Sequence, residues 1–220
     1  MAERKNYDIT PSSQLFKITG HQLCVICDQD EIKNELGTGF RFLRKNWIVT
    51  AAHVVLNYDM PRQGLFAVFA SPAPNRSFLK VLAVHKEIDI AILEILDEQQ
   101  SVANPLFPGD DELSVSNGLV CFGYSPSKGS NITASWVNKY SKDFRERENT
   151  EIILEFVNGH IAAGSSGGPI CGDGGVVVGV LINVFSNANN PGKISARATS
   201  IQNLMDVIKI DFDPLYFRTF

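Results

Sequence analysis

Gly164-Ser165-Ser166-Gly167-Gly168-Pro169 decides how this chain reads, and Thr50-Ala51-Ala52-His53 lies upstream of it. A serine hydroxyl is a poor nucleophile until a base takes its proton. Glycines around it let backbone N–H groups approach the oxyanion that forms when the hydroxyl attacks a carbonyl. The two motifs together point to hydrolysis by acyl transfer.

Working outward, Trp47-Ile48-Val49-Thr50-Ala51-Ala52-His53-Val54-Val55 carries an apolar strand into a small-residue turn that delivers a histidine just beyond the sheet. A base of this kind needs a carboxylate to hold its tautomer and to stabilise the imidazolium. Asp89, in Glu87-Ile88-Asp89-Ile90-Ala91-Ile92-Leu93, is the obvious supplier, because an acid set among apolar residues is costly unless partnered. Asp97 and Glu94 are weaker candidates, in polar sequence or on the exposed face of the strand. His21 and His85 lack such surroundings and read as ordinary surface or strand-end residues.

The chain has 220 residues, 44% of them hydrophobic, enough for a substantial core. A net charge of -4 gives no attraction to nucleic acid or anionic lipid, and no basic stripe with interleaved aromatics occurs. Neither nucleic acid nor membrane is expected as a partner. Met1-Ala2-Glu3-Arg4-Lys5-Asn6-Tyr7-Asp8 is charged and leads into no apolar signal core, so a cytoplasmic location is expected. Of the four cysteines, Cys24, Cys27, Cys121 and Cys171, only the first two are close in sequence. A metal site on them would need a second ligand pair that the spacing does not offer. Buried reduced thiols are expected, with no metal and no organic cofactor.

Short runs rich in Val, Ile and Phe recur between Gly, Pro, Asn and Asp clusters, the pattern of an all-β protein. Expected strands are Leu23–Ile26, Gly39–Leu43, Trp47–Val49, Leu65–Phe69, Val81–His85 and Ile90–Ile95 in the first half. In the second half they are Leu119–Gly123, Ile132–Val137, Ile152–Phe156, Pro169–Cys171 and Val176–Asn183. The polar, proline-bearing stretch Glu98–Glu112 divides the halves. Thr199-Ser200 could cap a helix over Ile201–Ile208, with Ile201, Leu204, Met205 and Ile208 on one face. The charged stretch Tyr140–Thr150 reads as an exposed loop, either a solvated connector or a sensing loop.

On these residues the chain resembles the chymotrypsin-fold serine proteases, particularly HtrA-type and other bacterial trypsin-like peptidases. Gly37-Thr38-Gly39-Phe40 is similar to that family's Gly-Ser-Gly-Phe, Thr50–His53 to its histidine motif, and Asp89–Leu93 to its Asp-Ile-Ala-Leu-Leu. Gly164–Pro169 is similar to its Gly-Asp-Ser-Gly-Gly-Pro, and Val176-Val177-Val178-Gly179-Val180 to the strand that follows. The order His, Asp, Ser is the chymotrypsin order. The resemblance implies an all-β fold of two packed six-stranded antiparallel β-barrels with a C-terminal helix. An arm over 1–14 would precede a first barrel over 15–104 carrying His53 and Asp89. A second barrel over 105–220 would carry Ser166, the helix and a tail.

Carried over residue by residue, the resemblance makes His53 the base, Asp89 the orienting acid and Ser166 the nucleophile, the serine immediately before Gly-Gly-Pro. Gly164, Ser165 and Ser166 would form the oxyanion hole through the N–H groups of Gly164 and Ser166. Ser165 takes the place of an aspartate or asparagine in relatives and offers no charge to hold a buried ammonium. The hole would therefore be ordered by loop packing, substrate or a partner. His160 would sit near the base of the specificity pocket, or serve only as a structural histidine, and Asn183 and Val184 would line the pocket wall. Partners would be a protein or peptide substrate, with a regulatory protein or fused sensor as a further option. The alternatives are a binding module that kept the protease fold, and the effector domain of a larger stress or defence assembly. The apolar Pro214-Leu215-Tyr216-Phe217 could dock a partner or pack on its own barrel.

Overall fold

A computed structural model describes residues 5–8, 22–29, 35–69, 75–97, 104–109, 118–125, 131–144, 150–157, 161–187 and 190–212. The first half contains β1 (Lys5–Asp8), β2 (Leu23–Asp28), β3 (Glu35–Arg41), β4 (Trp47–Ala51), a one-turn helix α1 (Ala52–Val55) and a small hairpin, β5 (Leu56–Asn57) and β6 (Met60–Pro61). It continues with β7 (Leu65–Phe69), β8 (Asn75–His85) and β9 (Ile90–Ile95). The second half contains β10 (Val120–Ser125), β11 (Asn131–Trp136), β12 (Lys139–Phe144), β13 (Thr150–Val157), β14 (Pro169–Cys171), β15 (Val177–Asn187), β16 (Asn190–Ser200) and α2 (Ile201–Asp211).

Strands β2, β3, β4, β9, β8 and β7 close into an antiparallel barrel, with Ile48 opposite Leu93 and Cys24 opposite Phe69. Its interior is filled by Cys24, Ile26, Ile48, Ala67, Phe69, Ala91 and Leu93. These come from short β-branched and aromatic runs, which suit a pleated surface.

The second sheet runs β1-β12-β13-β16-β15-β14-β10-β11. Setting β1 aside, its two ends are β11 and β12, which are consecutive in the chain and separated only by Val137 and Asn138. Val137 N–H donates to Leu119 O at 2.9 Å and Asn138 N–H to Glu155 O at 2.8 Å, so the chain crosses from β10 to β13 at this bend. With β1 set aside as an added edge strand on β12, the second sheet is a curled half-barrel of seven strands, where a closed barrel of six was expected, because β11 and β12 meet at the bend without pairing. The chymotrypsin-like, all-β fold with its C-terminal helix stands.

Tyr140–Thr150 departs from the expected loop. Its first part lies in β12, with Tyr140 and Ser141 buried, and Thr150 opens β13, while residues 145–149 lie outside the described residues. A separate hydrophobic cluster joins the halves. Phe40, Phe42, Trp47, Val49, Ile90 and Ile92 of the first barrel meet Val120, Phe122, Val177 and Val180 of the second sheet and Ile201, Leu204 and Ile208 of α2. Backbone bridges from Leu106 to Phe42 and from Pro108 to Val177 reinforce this seam. The helix begins where its cap was expected, with Ser200 Oγ accepting from Asn203 N–H at 3.3 Å.

All four cysteines are free and buried. Cys24 faces the first barrel's interior, whereas Cys27 sits on the outer face with Val25, Phe66 and Tyr124, so the two cannot share one ion. Burial pushes the Cys24 thiol up to about 12. Burial, with the nearby Glu35 charge adding to it, pushes Cys27 up to about 11. Cys121 and Cys171 are raised by burial as well.

Candidate functional site

β4 ends at Ala51, and α1 turns at once so that Ala52, Val54 and Val55 are buried while His53 points outward. Small residues are needed here because the loop around Ser166 packs directly on this turn. Asp89 sits opposite, at the end of the turn before β9, with φ +54. This left-handed backbone is uncommon outside glycine, and asparagine and aspartate tolerate it best. It turns the carboxylate back onto α1. Asp89 Oδ2 lies 2.7 Å from His53 Nδ1, and Oδ1 accepts from His53 N–H at 2.9 Å. Ala52 N–H donates to Asp89 O at 3.0 Å, which closes the turn. An ionised carboxylate can only accept, so the contact places a proton on Nδ1, and in the neutral tautomer this selects, Nε2 is the acceptor. The His53 side chain is 48% exposed and that of Asp89 26%, so the pair opens to solvent on the imidazole side.

The other two candidate acids are engaged elsewhere. Asp97 Oδ2 accepts from Phe78 N–H at 3.0 Å, and Glu94 Oε1 from Asn46 Nδ2 at 3.2 Å. His85 does end β8, but the expectation that it lacks a partner is corrected. Its Nε2 lies 2.6 Å from Asp211 Oδ2, which ties the first barrel to α2.

The serine loop runs between the two halves. Gly167 has φ +85, and a Cβ there would lie 2.1 Å from Thr38 O and 2.2 Å from Thr50 Oγ1. At Gly168 a Cβ would lie 2.0 Å from Phe122 O. Only glycine permits this approach, which is why the Gly-Gly pair follows the serines. Ser166 O accepts from Thr38 N–H at 2.8 Å. It also lies 2.9 Å from where a Gly37 Cβ would stand, against Val54 of α1. Ser166 is therefore set across from the turn that presents His53. Among the described residues no hydrogen bond joins Ser166 Oγ to His53, and the N–H groups of Gly164 and Ser166 donate to no protein acceptor.

Ser165 is wholly buried, and its hydroxyl accepts from Ala162 N–H at 3.3 Å and donates to Tyr124 O at 3.4 Å. Both partners are neutral backbone groups. Gly123 makes room for it, since a Cβ there would stand 2.5 Å from Ser165 Cβ.

Thr38 was read only as one letter of a four-residue motif. Its hydroxyl donates to Gly164 O at 2.7 Å and accepts from Tyr124 N–H at 2.8 Å, and its carbonyl accepts from Thr50 Oγ1 at 2.7 Å. A threonine between two glycines on a buried strand was the signal.

Of the expected pocket residues, Asn183 is exposed on β15 opposite Arg197, and Val184 packs inward on the second sheet's core. His160, His21 and Pro214–Phe217 lie outside the described residues. Among the described residues no three His, Cys, Asp or Glu side chains gather to hold a metal.

The family model for the trypsin-like peptidase domain matches residues 37–180, the stretch that holds His53, Asp89 and Ser166. The chain is 24% identical over 166 residues, 75% of its length, to a probable periplasmic serine endoprotease, DegP-like, of Rhizobium meliloti (strain 1021), of which it spans 31%. Its fold is similar to that of the HtrA-type protease AlgW with a tripeptide, at a TM-score of 0.65 and 14% identity, covering 89% of this chain and 61% of that one. It is also similar to the serine endoprotease from Yersinia pestis, at 0.61 and 15%, covering 89% and 64%. The MamO protease domain from Magnetospirillum magneticum gives 0.62 and 12%, covering 88% and 98%. The chain thus spans about a third of the curated relative.

Proposed function

This chain belongs to the trypsin-like peptidase domain family, and on that premise we propose that it is a serine endopeptidase working through His53, Asp89 and Ser166. The observation that carries the reading is the two-point grip of Asp89 on His53, made across from the loop that bears Ser166. Ser166 Oγ attacks the scissile carbonyl carbon while His53 Nε2 takes its proton. Asp89 holds the ring and balances the charge that develops on it. The oxyanion is received by the N–H groups of Gly164 and Ser166, which have no other described acceptor. Collapse of the tetrahedral intermediate breaks the C–N bond, and the proton passes from His53 to the leaving amine. A water activated by the same base then releases the acyl group from Ser166. The substrates are proteins or peptides, as supported by the peptide held by the HtrA-type relative AlgW.

The absent Ser166–His53 hydrogen bond favours a second reading, a binding module on the same fold. Catalytic hydrogen bonds are often long before substrate binds, which weighs the balance toward the enzyme. A fluorophosphonate probe distinguishes them. The peptidase is labelled in the wild type and not in Ser166→Ala, while Ser165→Ala keeps its labelling. A wild type that never labels overturns the peptidase reading.

A further inference from the structure

We infer that Thr38 is a positioning residue that holds the oxyanion loop in its working shape from the opposite barrel. The inference rests on the peptidase reading. Gly164 and Ser166, the two residues whose N–H groups receive the oxyanion in that reading, both have their carbonyl oxygens held by Thr38. The Thr38 hydroxyl binds Gly164 O at 2.7 Å, and the Thr38 N–H binds Ser166 O at 2.8 Å.

Three successive peptide planes matter here. The plane after Gly164 and the plane after Ser166 are pinned by Thr38, and the plane between them carries the Ser166 N–H. That middle plane has its own anchor, Gly168 N–H donating to Ser165 O at 3.0 Å. With both neighbours fixed, the direction of the Ser166 N–H is fixed too. Such restraint is needed because Gly164, at φ +93, and Gly167, at φ +85, rotate with little steric cost.

The clamp is fully wired. Tyr124 N–H occupies the acceptor side of the Thr38 hydroxyl at 2.8 Å, so its single proton is directed to Gly164 O. Thr50, three residues before His53, fixes the Thr38 carbonyl at 2.7 Å. Thr38 and Thr50 are both buried, so water does not compete for these bonds. One threonine therefore joins the serine loop to β10 and to the strand that leads to the base. This supplies the ordering that Ser165, bonded only to neutral backbone, cannot supply through a charge.

Thr38→Val keeps the shape and the backbone N–H but removes the hydroxyl, and Thr38→Ser restores it. Kinetics on a peptide substrate, normalised by active-site titration, should show kcat per active site down about a hundredfold in Thr38→Val, on the scale of losing one oxyanion donor. KM should stay near the wild-type value, and Thr38→Ser should recover most of the rate. A peptide boronate, which mimics the tetrahedral intermediate, should weaken in parallel with kcat. Wild-type kcat per titrated site in Thr38→Val, with only a lower melting temperature, would overturn the inference. Hydrogen exchange over residues 161–168 gives a readout independent of activity. Exchange should quicken in Thr38→Val and return to normal in Thr38→Ser, and unchanged exchange also overturns the clamp. An unlabelled, inactive wild type would sink the peptidase reading instead, and exchange would still judge the clamp.

Discussion

Asp89 shows how one residue can be both legible and surprising. Its place among Ile88, Ile90 and Ile92 marked it as an acid in need of a partner, and the structure gives it His53 through two contacts. Its left-handed backbone was not legible, because φ depends on the turn that Lys86 O and Asp89 N–H close. The substitution Asp89→Asn uses that conformation, since asparagine also tolerates it. The variant should fold with an unchanged melting temperature while kcat falls about ten-thousandfold, because the amide no longer enforces the Nδ1–H tautomer of His53. Measuring kcat beside a thermal melt checks both halves of that expectation, and a near-normal kcat would remove Asp89 from the role. The Thr38–Gly164 contact and the His85–Asp211 pair were invisible for a plainer reason. Their partners are 126 residues apart in the chain in each case, and no local pattern announces them.

Elements with strong local patterns were the ones the sequence disclosed. Leu65–Phe69, Ile90–Ile95 and Pro169–Cys171 lie where expected, to the residue. β16 was missed because its inward side is largely alanine, with Ala196 and Ala198 buried while Ser195 and Arg197 alternate with them on a more open, polar face. β12 was missed because Lys139, Lys142 and Asp143 dilute the alternation that Tyr140 would otherwise reveal. The helix α2 was legible through its cap and its apolar face. Replacing Ser200 with alanine leaves the Asn203 N–H without its acceptor and should lower stability by about 1 kcal/mol. Urea denaturation followed by circular dichroism would detect this, and an unchanged midpoint would show that the cap contributes nothing.

At the scale of the whole molecule, the division into two strand-rich halves was readable from strand rhythm and the chymotrypsin-like fold from the resemblance that the motifs carry, whereas the bend that curls the second sheet was not. Two buried cysteines of the first barrel also set the protein's response to alkali. Above the ordinary thiol value of 9.0, the unfolded chain loses protons that native Cys24 and Cys27 keep until about 12 and about 11. Native thiols bind more protons than unfolded ones in that window, so stability falls as pH rises through it. Urea midpoints should decline from pH 8 to pH 10.5, following the thiol value of 9.0, and Cys24→Ala should flatten the decline. A parallel decline in that variant would assign it to other groups. The same long-range seam has a consequence for the time course of synthesis. Thr38 leaves the ribosome 126 residues ahead of Gly164, and His85 as far ahead of Asp211. Contacts of such separation form late and slowly. In a growing chain, His53 and Asp89 are both made long before the loop that bears Ser166. On the peptidase reading, a chain wired this way cannot cut until the loop bearing Ser166 has emerged and packed against Thr38.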